Sequence, residues 1–210
     1  MTETERTEKL TAVLAQASPE DTARIRFVLE MDKMKTIYRH SLLLDQSRTE
    51  TDAEHSWQLA MMALVLAPHA EPGTDMLKVL KMCLIHDVVE IDAGDTYAYD
   101  KSGNGSKAAR EASAAERIYA ILPGEEGLEL KALWEEFDRV ESREAIFANA
   151  LDRLQPMLLH VYTDGTSWRE NKVELEDVLE RAEPIKRGLP QLWPMMEKLL
   201  KTSFELGLLL

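Results

Sequence analysis

Four side chains stand where apolar surroundings make an ionisable group costly. His55 follows Glu54 at the start of an apolar helical stretch, and His86 and Asp87 come directly after Cys83, Leu84 and Ile85. Asp152 lies between Leu151 and Leu154 in another apolar run. A carboxylate in such a run is expensive unless it is paired or bound to a cation. Two imidazoles and two carboxylates form a mixed nitrogen and oxygen donor set. That set suits a borderline divalent transition metal, with positions left for water and substrate. Zn²⁺, Mn²⁺, Co²⁺, Ni²⁺ and Fe²⁺ are all admissible on donor type. His86 and Glu90 are four residues apart and share a face of a continuing helix. Asp95 follows in a glycine-bearing turn and can fold back towards that face. Glu90 and Asp95 can then orient or deprotonate a metal-bound water, or hold a second, harder cation such as Mg²⁺.

Each of these residues also has a plain structural reading. A His-Asp dipeptide is common, His55 can be a half-buried helix-start histidine, and Asp152 can pair with Arg153 or Arg143. The residues alone leave both readings open. Cys83 reads as core, because no basic residue beside it in sequence would activate a thiolate. The ten methionines read as packing side chains. Residues 102–107 contain GNGSK but lack the spacing of a nucleotide P-loop. No G-x-S-x-G elbow is present, which counts against a serine hydrolase.

Nearly every element that must position these groups reads as helix. Ser18, Pro19, Glu20 and Asp21 make a start signal for a helix to about residue 35. A polar stretch covers residues 36–53. Asp52 is the expected cap of a helix over about 54–68, and Thr74 the expected cap of one continuing to about 91. The segment 93–107 holds three of the nine glycines and reads as a mobile loop. Further helices are expected over about 108–121, 125–140, 143–162, 175–186 and 190–206, with Pro156 kinking the third of these. No alternating strand pattern stands out. The expectation is an all-α, single-domain helical bundle: an N-terminal helical extension over 1–17, then one compact domain over 18–210 with its catalytic core at about 24–193.

The chain has 210 residues, enough for one domain, and area scaling lets such a chain bury about 70% of its unfolded surface. No staple is needed for it to fold. With 25 Lys+Arg against 38 Asp+Glu, the formal net charge of −13 repels a phosphate backbone, so general nucleic-acid binding is not expected. A small phosphorylated substrate stays compatible, because a local metal or cation outweighs distant charge. One cysteine permits no internal disulfide and suits a reducing cytoplasm. The polar first nine residues are not a secretory signal, and the longest apolar run, nine residues, is too short to cross a bilayer.

Three segments carry a family resemblance: AEHSWQLAMMA at 53–63, LIHDVVEIDAGD at 84–95 and ALDRLQPML at 150–158. Together they resemble the metal-site blocks of the HD-domain metal-dependent phosphohydrolases, nearest to the 5′-deoxynucleotidases and related small HD-domain proteins. The order H…HD…D, the Glu three residues after the HD aspartate and the following GD are all present, and the likeness covers about 24–193. The resemblance implies that His55, His86, Asp87 and Asp152 ligate the metal. It implies that Glu90 and Asp95 assist catalysis or bind a second ion, and that Asp95 and Thr96 meet the substrate. In that subgroup an Arg-Trp pair upstream of the first histidine contacts the nucleotide. Arg39-His40 is the best match, with histidine in the tryptophan's place. No histidine lies between Asp87 and Asp152. HD-domain oxygenases and cyclic-dinucleotide phosphodiesterases resemble one another in using extra histidines there, so ligand supply points to a single-transition-metal hydrolase.

The expected reaction is hydrolysis of a nucleoside 5′-monophosphate, deoxy or ribo, by a metal-activated water. Glu90 or Asp95 would align and deprotonate that water. Arg39 would grip the phosphate, with Arg48 or Lys107 as further cations, and Tyr97 or Tyr99 would stack on a base. The rivals are HD-type hydrolysis of nucleoside di- or triphosphates or another phosphorylated metabolite, and a non-catalytic helical metal-binding interaction module. The resemblance also implies a homodimer, for which the leucine-rich stretch 199–210 is a candidate contact.

Overall fold

The computed structural model describes residues 1–14, 16–100 and 106–210. The chain runs through α1 (Glu3–Leu14) and α2 (Pro19–Met31), then a 3-10 turn over Asp32–Thr36. A hairpin of β1 (Tyr38–Leu42) and β2 (Thr49–Thr51) leads into α3 (Asp52–Leu66). After α4 (Met76–Ile85) and the one-turn α5 (Glu90–Ala93) come α6 (Lys107–Tyr119), α7 (Glu125–Arg139) and α8 (Arg143–Tyr162). The chain closes with α9 (Thr166–Glu170), α10 (Leu175–Arg181), α11 (Glu183–Gly188) and α12 (Trp193–Glu205). The molecule is a helical domain, as its apolar periodicity predicts.

The centre is α8. Its stripe of Phe147, Ala148, Leu151 and Leu154 packs in one core with Leu59 and Ala63 of α3, Val79, Met82 and Cys83 of α4, and Ile185. A second cluster gathers Val88, Val89, Ala115, Ile118 and Tyr119 beneath α5 and α6. The approach of α11 to α8 is close: a Cβ on Gly188 would meet the Ala150 Cβ and the Ile146 carbonyl at 2.6 Å each. α1 buries none of its residues, and the accessible surface of 11657 Å² exceeds the roughly 9,900 Å² of a compact monomer this long.

Several local expectations are corrected. Residues 36–53 hold a two-stranded antiparallel sheet, pairing Tyr38 with Thr51 and Leu42 with Thr49. Strands of five and three residues, mostly polar, are too short to carry an alternation that a sequence reading can detect. The cap of α3 is Thr51, not Asp52: its hydroxyl accepts from the Glu54 amide while the Glu54 side chain accepts from the Thr51 amide, a full capping box. Asp75, not Thr74, caps α4. α4 stops at Ile85, so His86 and Glu90 bracket a turn and do not share one helix. The stretch 175–186 breaks at Ala182 into α10 and α11, with Pro184 in the first turn of the second helix.

α8 runs through Pro156 as one helix. The missing proline N–H leaves the Asp152 carbonyl without its helical donor. In the C-terminal stretch, Leu200 and Leu209 belong to the core, whereas Leu206 and Leu210 are exposed. Part of the expected mobile loop, residues 101–105, including most of the GNGSK segment, lies outside the described residues. No helix among the described residues is long and apolar enough to cross a membrane.

Candidate active site

His55 stands in the first turn of α3, delivered there by the capping box, and is fully buried. His86 is the C-cap of α4, and Asp87 follows it in the turn before α5. Asp152 projects from the middle of α8. These three distant stretches meet. The His55 Nε2 is 3.0 Å from Asp152 Oδ1 and 3.7 Å from Asp87 Oδ2. The His86 Nε2 is 3.0 Å from Asp87 Oδ2 and 3.4 Å from Asp152 Oδ1. One ligand atom from each of His55, His86 and Asp152 lies within 4.8 Å of the others.

The second ring nitrogens explain what faces inward. The His86 Nδ1 is 3.1 Å from the Cys83 carbonyl, to which it donates. The His55 Nδ1 donates to Gln155 Oε1 at 2.9 Å. The Gln155 amide is held in that sense because its nitrogen donates to Glu50 Oε2 at 2.8 Å and to Gln58 Oε1 at 2.9 Å. With both Nδ1 atoms committed as donors, both Nε2 atoms present lone pairs to carboxylate oxygens. Lone pairs converging at 3.0–3.7 Å repel unless a cation lies among them. The buried His86 Nε2 makes no hydrogen bond, an orphan that a metal ion would satisfy. Burial favours the neutral imidazole, yet Asp87 and Asp152 push His86 up to about 10. The acids therefore demand positive charge at that point, and a divalent ion supplies it. One plain reading of Asp152 holds beside the metal reading: Oδ2 accepts from Arg153 at 2.6 Å while Oδ1 faces the imidazoles, whereas Arg143 pairs with Glu71 at 3.0 Å.

Beside this set lies a second acidic group, Asp52, Asp87 and Glu90, with ligand oxygens within 4.8 Å of one another. Arg39, carried by β1, inserts into it: Nη1 donates to Asp87 Oδ2 at 2.5 Å and to Asp52 Oδ1 at 3.1 Å. Burial, then the Asp87 charge, pushes Asp52 up to about 7, and burial raises Glu50 to about 7 as well. Glu90 is held well above the ordinary glutamate range by burial, then by Asp87 and Asp52. Its Oε2 has no hydrogen-bond partner. Gly94 ends α5 at φ 72°, ψ 152°, a conformation open to glycine, and the turn brings Asp95 back to the site. Burial raises Asp95 too.

His86, Asp87, Glu90, Asp95 and Asp152 line one cavity of about 240 Å³, a small-molecule subsite and not a polymer groove. Arg39, His40, Asp95 and Thr96 are in its wall, as are Tyr97, Tyr99 and Lys107. The Arg39 guanidinium bonds the carboxylates through Nη1, which makes it an organiser of the acids, while the residue also lines the cavity. His40 lies with its ring centroid 4.6 Å from that of Tyr97, and its Nε2 is 4.0 Å from Asp95 Oδ2. The Thr96 hydroxyl accepts from Arg110 at 2.9 Å. Arg48 is elsewhere, paired with Glu54 at 2.5 Å on the outer side of α3. Cys83 is buried, with its thiol pushed up to about 12 by burial, an inert core residue.

Sequence reading missed Glu50, Gln155, Arg181 and His160. Gln155 carried a usable signal: an amide one turn from Asp152 on the buried face of an apolar helix needs partners. Glu50 and Arg181 carried none, because each is one polar residue in a polar stretch.

Comparison with known proteins adds to the geometry. The family model described as HD domain matches residues 31–193. The 5′-deoxynucleotidase HDDC2 of Dictyostelium discoideum is 29% identical over 159 residues, covering 70% of this chain and 82% of that protein. The 5′-deoxynucleotidase HDDC2 of Homo sapiens is 31% identical over 111 residues, 53% of each chain, so the matched stretch spans about half of that relative. A crystal structure of a predicted metal-dependent phosphohydrolase from Magnetospirillum magnetotacticum superposes with a TM-score of 0.87 at 42% identity, covering 90% of this chain and 95% of that one. A conserved hypothetical protein from Pyrococcus furiosus matches with a TM-score of 0.63 at 26% identity, over 84% and 99% of the two chains.

Proposed function

The chain belongs to the HD-domain family and is a metal-dependent phosphohydrolase, and from that premise we propose that it hydrolyses nucleoside 5′-monophosphates, 2′-deoxy ones foremost. The observation that carries this is the convergence of two imidazole Nε2 atoms on Asp152 Oδ1 and Asp87 Oδ2, with both Nδ1 atoms already committed. On this reading His55, His86, Asp87 and Asp152 hold the divalent ion. When bound, that ion supplies Lewis acidity, making water a nucleophile at neutral pH and offsetting charge on phosphate oxygens. Glu90 accepts the proton of the attacking water. Burial raises its basicity, and its Oε2 makes no hydrogen bond. Asp95 steadies the same water from the far side of α5 or, with Glu90, holds a second ion. Arg39 keeps Asp52 and Asp87 oriented.

The nucleoside is assigned to the wall of His40, Thr96, Tyr97 and Tyr99, where aromatic faces are available for a base. The deoxy preference rests on the names of the HDDC2 relatives. We further propose a homodimer and a reducing, cytoplasmic setting. The free, buried Cys83 suits the latter. Exposed Trp57, Met61, Leu64 and Val65 form an apolar stripe on α3 and suit the former, as do exposed Phe204, Leu206 and Leu210 in the 199–210 stretch.

The test is a phosphate-release panel of ribo- and deoxynucleoside 5′-monophosphates, di- and triphosphates and sugar phosphates, run with Mn²⁺, Co²⁺, Ni²⁺, Zn²⁺ and Mg²⁺. Chelator-sensitive release from deoxynucleoside monophosphates supports the proposal. Release confined to another class overturns the substrate assignment.

A further inference from the structure

Four permanently basic side chains line the cavity: Arg39, Lys107, Arg153 and Arg181. Three of them are engaged. Arg39 is bonded to Asp52 and Asp87, Arg153 to Asp152 at 2.6 Å, and the Lys107 Nζ lies 3.4 Å from Glu111. Arg181 makes no ion pair within 4.0 Å among the described residues. It reaches the cavity from α10, whose neighbouring Val178 and Ala182 are fully buried and fix the backbone.

The wall that Arg181 faces is one face of α8. Asn149, Asp152, Arg153, Pro156, Met157 and His160 all line the cavity, at the spacing of successive helical turns. From Asp152 to His160 this face extends about 12 Å. The His160 imidazole is 5% exposed, and its Nδ1 has no partner. The Asp152 carboxylate and the Arg153 guanidinium are both close enough to Arg181 to act on its charge, Arg153 opposing it and Asp152 favouring it. Burial and Arg153 together bring Arg181 down to about 10, which leaves it charged at neutral pH. A half-buried guanidinium that faces the cavity without an ion pair of its own leaves its donors available, and an entering dianion would satisfy them.

We propose that Arg181 binds the phosphate group of the substrate, gripping two non-bridging oxygens with its planar fork in the space beside Asp152. The inference rests on the phosphohydrolase reading of the same site. It assigns the phosphate contact to α10 and leaves Arg39 among the acids.

The experiment uses the full chain loaded with Co²⁺, with Arg181→Met and Arg181→Lys. Methionine keeps the apolar stem and removes the charge, and lysine keeps the charge without the fork. Inorganic phosphate is titrated calorimetrically, Co²⁺ affinity is measured by chelator competition, and kinetics are taken on 2′-deoxyadenosine 5′-monophosphate. The expected result is phosphate binding weakened about 10- to 100-fold in Arg181→Met, as for loss of charge-assisted hydrogen bonds. KM should rise by a similar factor with kcat within about threefold, Co²⁺ affinity should be unchanged, and Arg181→Lys should lie between.

Phosphate binding within twofold of wild type overturns the inference, including when KM for the nucleotide rises, since Arg181 then reads the nucleoside. A parallel loss of Co²⁺ affinity also overturns it, by making Arg181 a structural residue. If wild type releases no phosphate from the nucleotide, the substrate assignment fails, and the inorganic phosphate titration still decides the role of Arg181.

Discussion

Gln155 is the residue whose loss should separate a tuned metal site from a chance meeting of acids and histidines. Its side chain is 1% exposed. Its oxygen accepts from His55 Nδ1 at 2.9 Å, and its nitrogen donates to Glu50 at 2.8 Å and Gln58 at 2.9 Å. Gln155→Met preserves the volume and removes both functions. The His55 Nδ1 is then left with Glu50 Oε1 at 3.8 Å, too far to hold the ring or its tautomer. Removing such an outer partner typically weakens metal binding 10- to 100-fold, about 1.4–2.7 kcal/mol. Two buried groups, the His55 Nδ1 and Glu50 Oε2, also lose a partner, at about 1–3 kcal/mol each. For a chain this long, that lowers Tm by roughly 4 °C or more.

Gln58→Met is the control. It removes one of two acceptors from the Gln155 amide and leaves the His55 contact intact, so metal affinity should change less than about threefold. Calorimetric Co²⁺ titration of both variants, with circular dichroism to confirm folding, gives the answer. A folded Gln155→Met protein that binds Co²⁺ within twofold of wild type would refute the reasoning.

Other consequences are equally open to measurement. Glu90→Gln should lower kcat about 10²- to 10⁴-fold while Co²⁺ affinity stays within a few-fold. In wild type the acid limb of the pH–rate profile should lie above the ordinary glutamate range, because activity is lost as pH falls through a pKa raised by burial. His160 is pushed down to about 4 by burial, with His40, Arg181 and Arg39 adding to the effect. The unfolded chain therefore takes up this proton first as pH falls. The stability is whole above about 6.5 and is lost towards 4, amounting to about 2 kcal/mol at pH 5. Urea unfolding at pH 7.5 and pH 5 should show that extra loss in wild type and not in His160→Gln, whereas equal losses would contradict it. Leu64→Glu, on the exposed stripe of α3, should shift the sedimentation coefficient from dimer to monomer, and an unchanged value would exclude this face as the contact.

The helices were legible wherever an apolar stripe met a capping signal. α8 appears at the expected 143–162, because a single apolar face from Ile146 to Leu158 leaves no competing period. The break after Ile85 was not legible. His86 to Val89 hold no glycine or proline that would signal a stop, yet they form a turn in which His86 meets both Asp87 and Asp152. The hairpin was hidden by the polarity of its strands, although it carries Arg39 and Glu50 into the site. The metal-ligand candidates were readable as charges in apolar runs, since their cost shows in the local sequence. Their partners were not. Glu50, Gln155 and Arg181 matter through contacts made across more than a hundred residues of chain or from a separate helix, and nothing adjacent in sequence marks them.

The central claim is that one divalent ion is held by His55, His86, Asp87 and Asp152. Crystals grown with Co²⁺ and measured on both sides of the cobalt absorption edge test it most directly. The account predicts one strong anomalous peak about 2.0–2.2 Å from the Nε2 atoms of both histidines and from an oxygen of each aspartate. A peak bound elsewhere, or no peak among these four side chains at saturating Co²⁺, would contradict it.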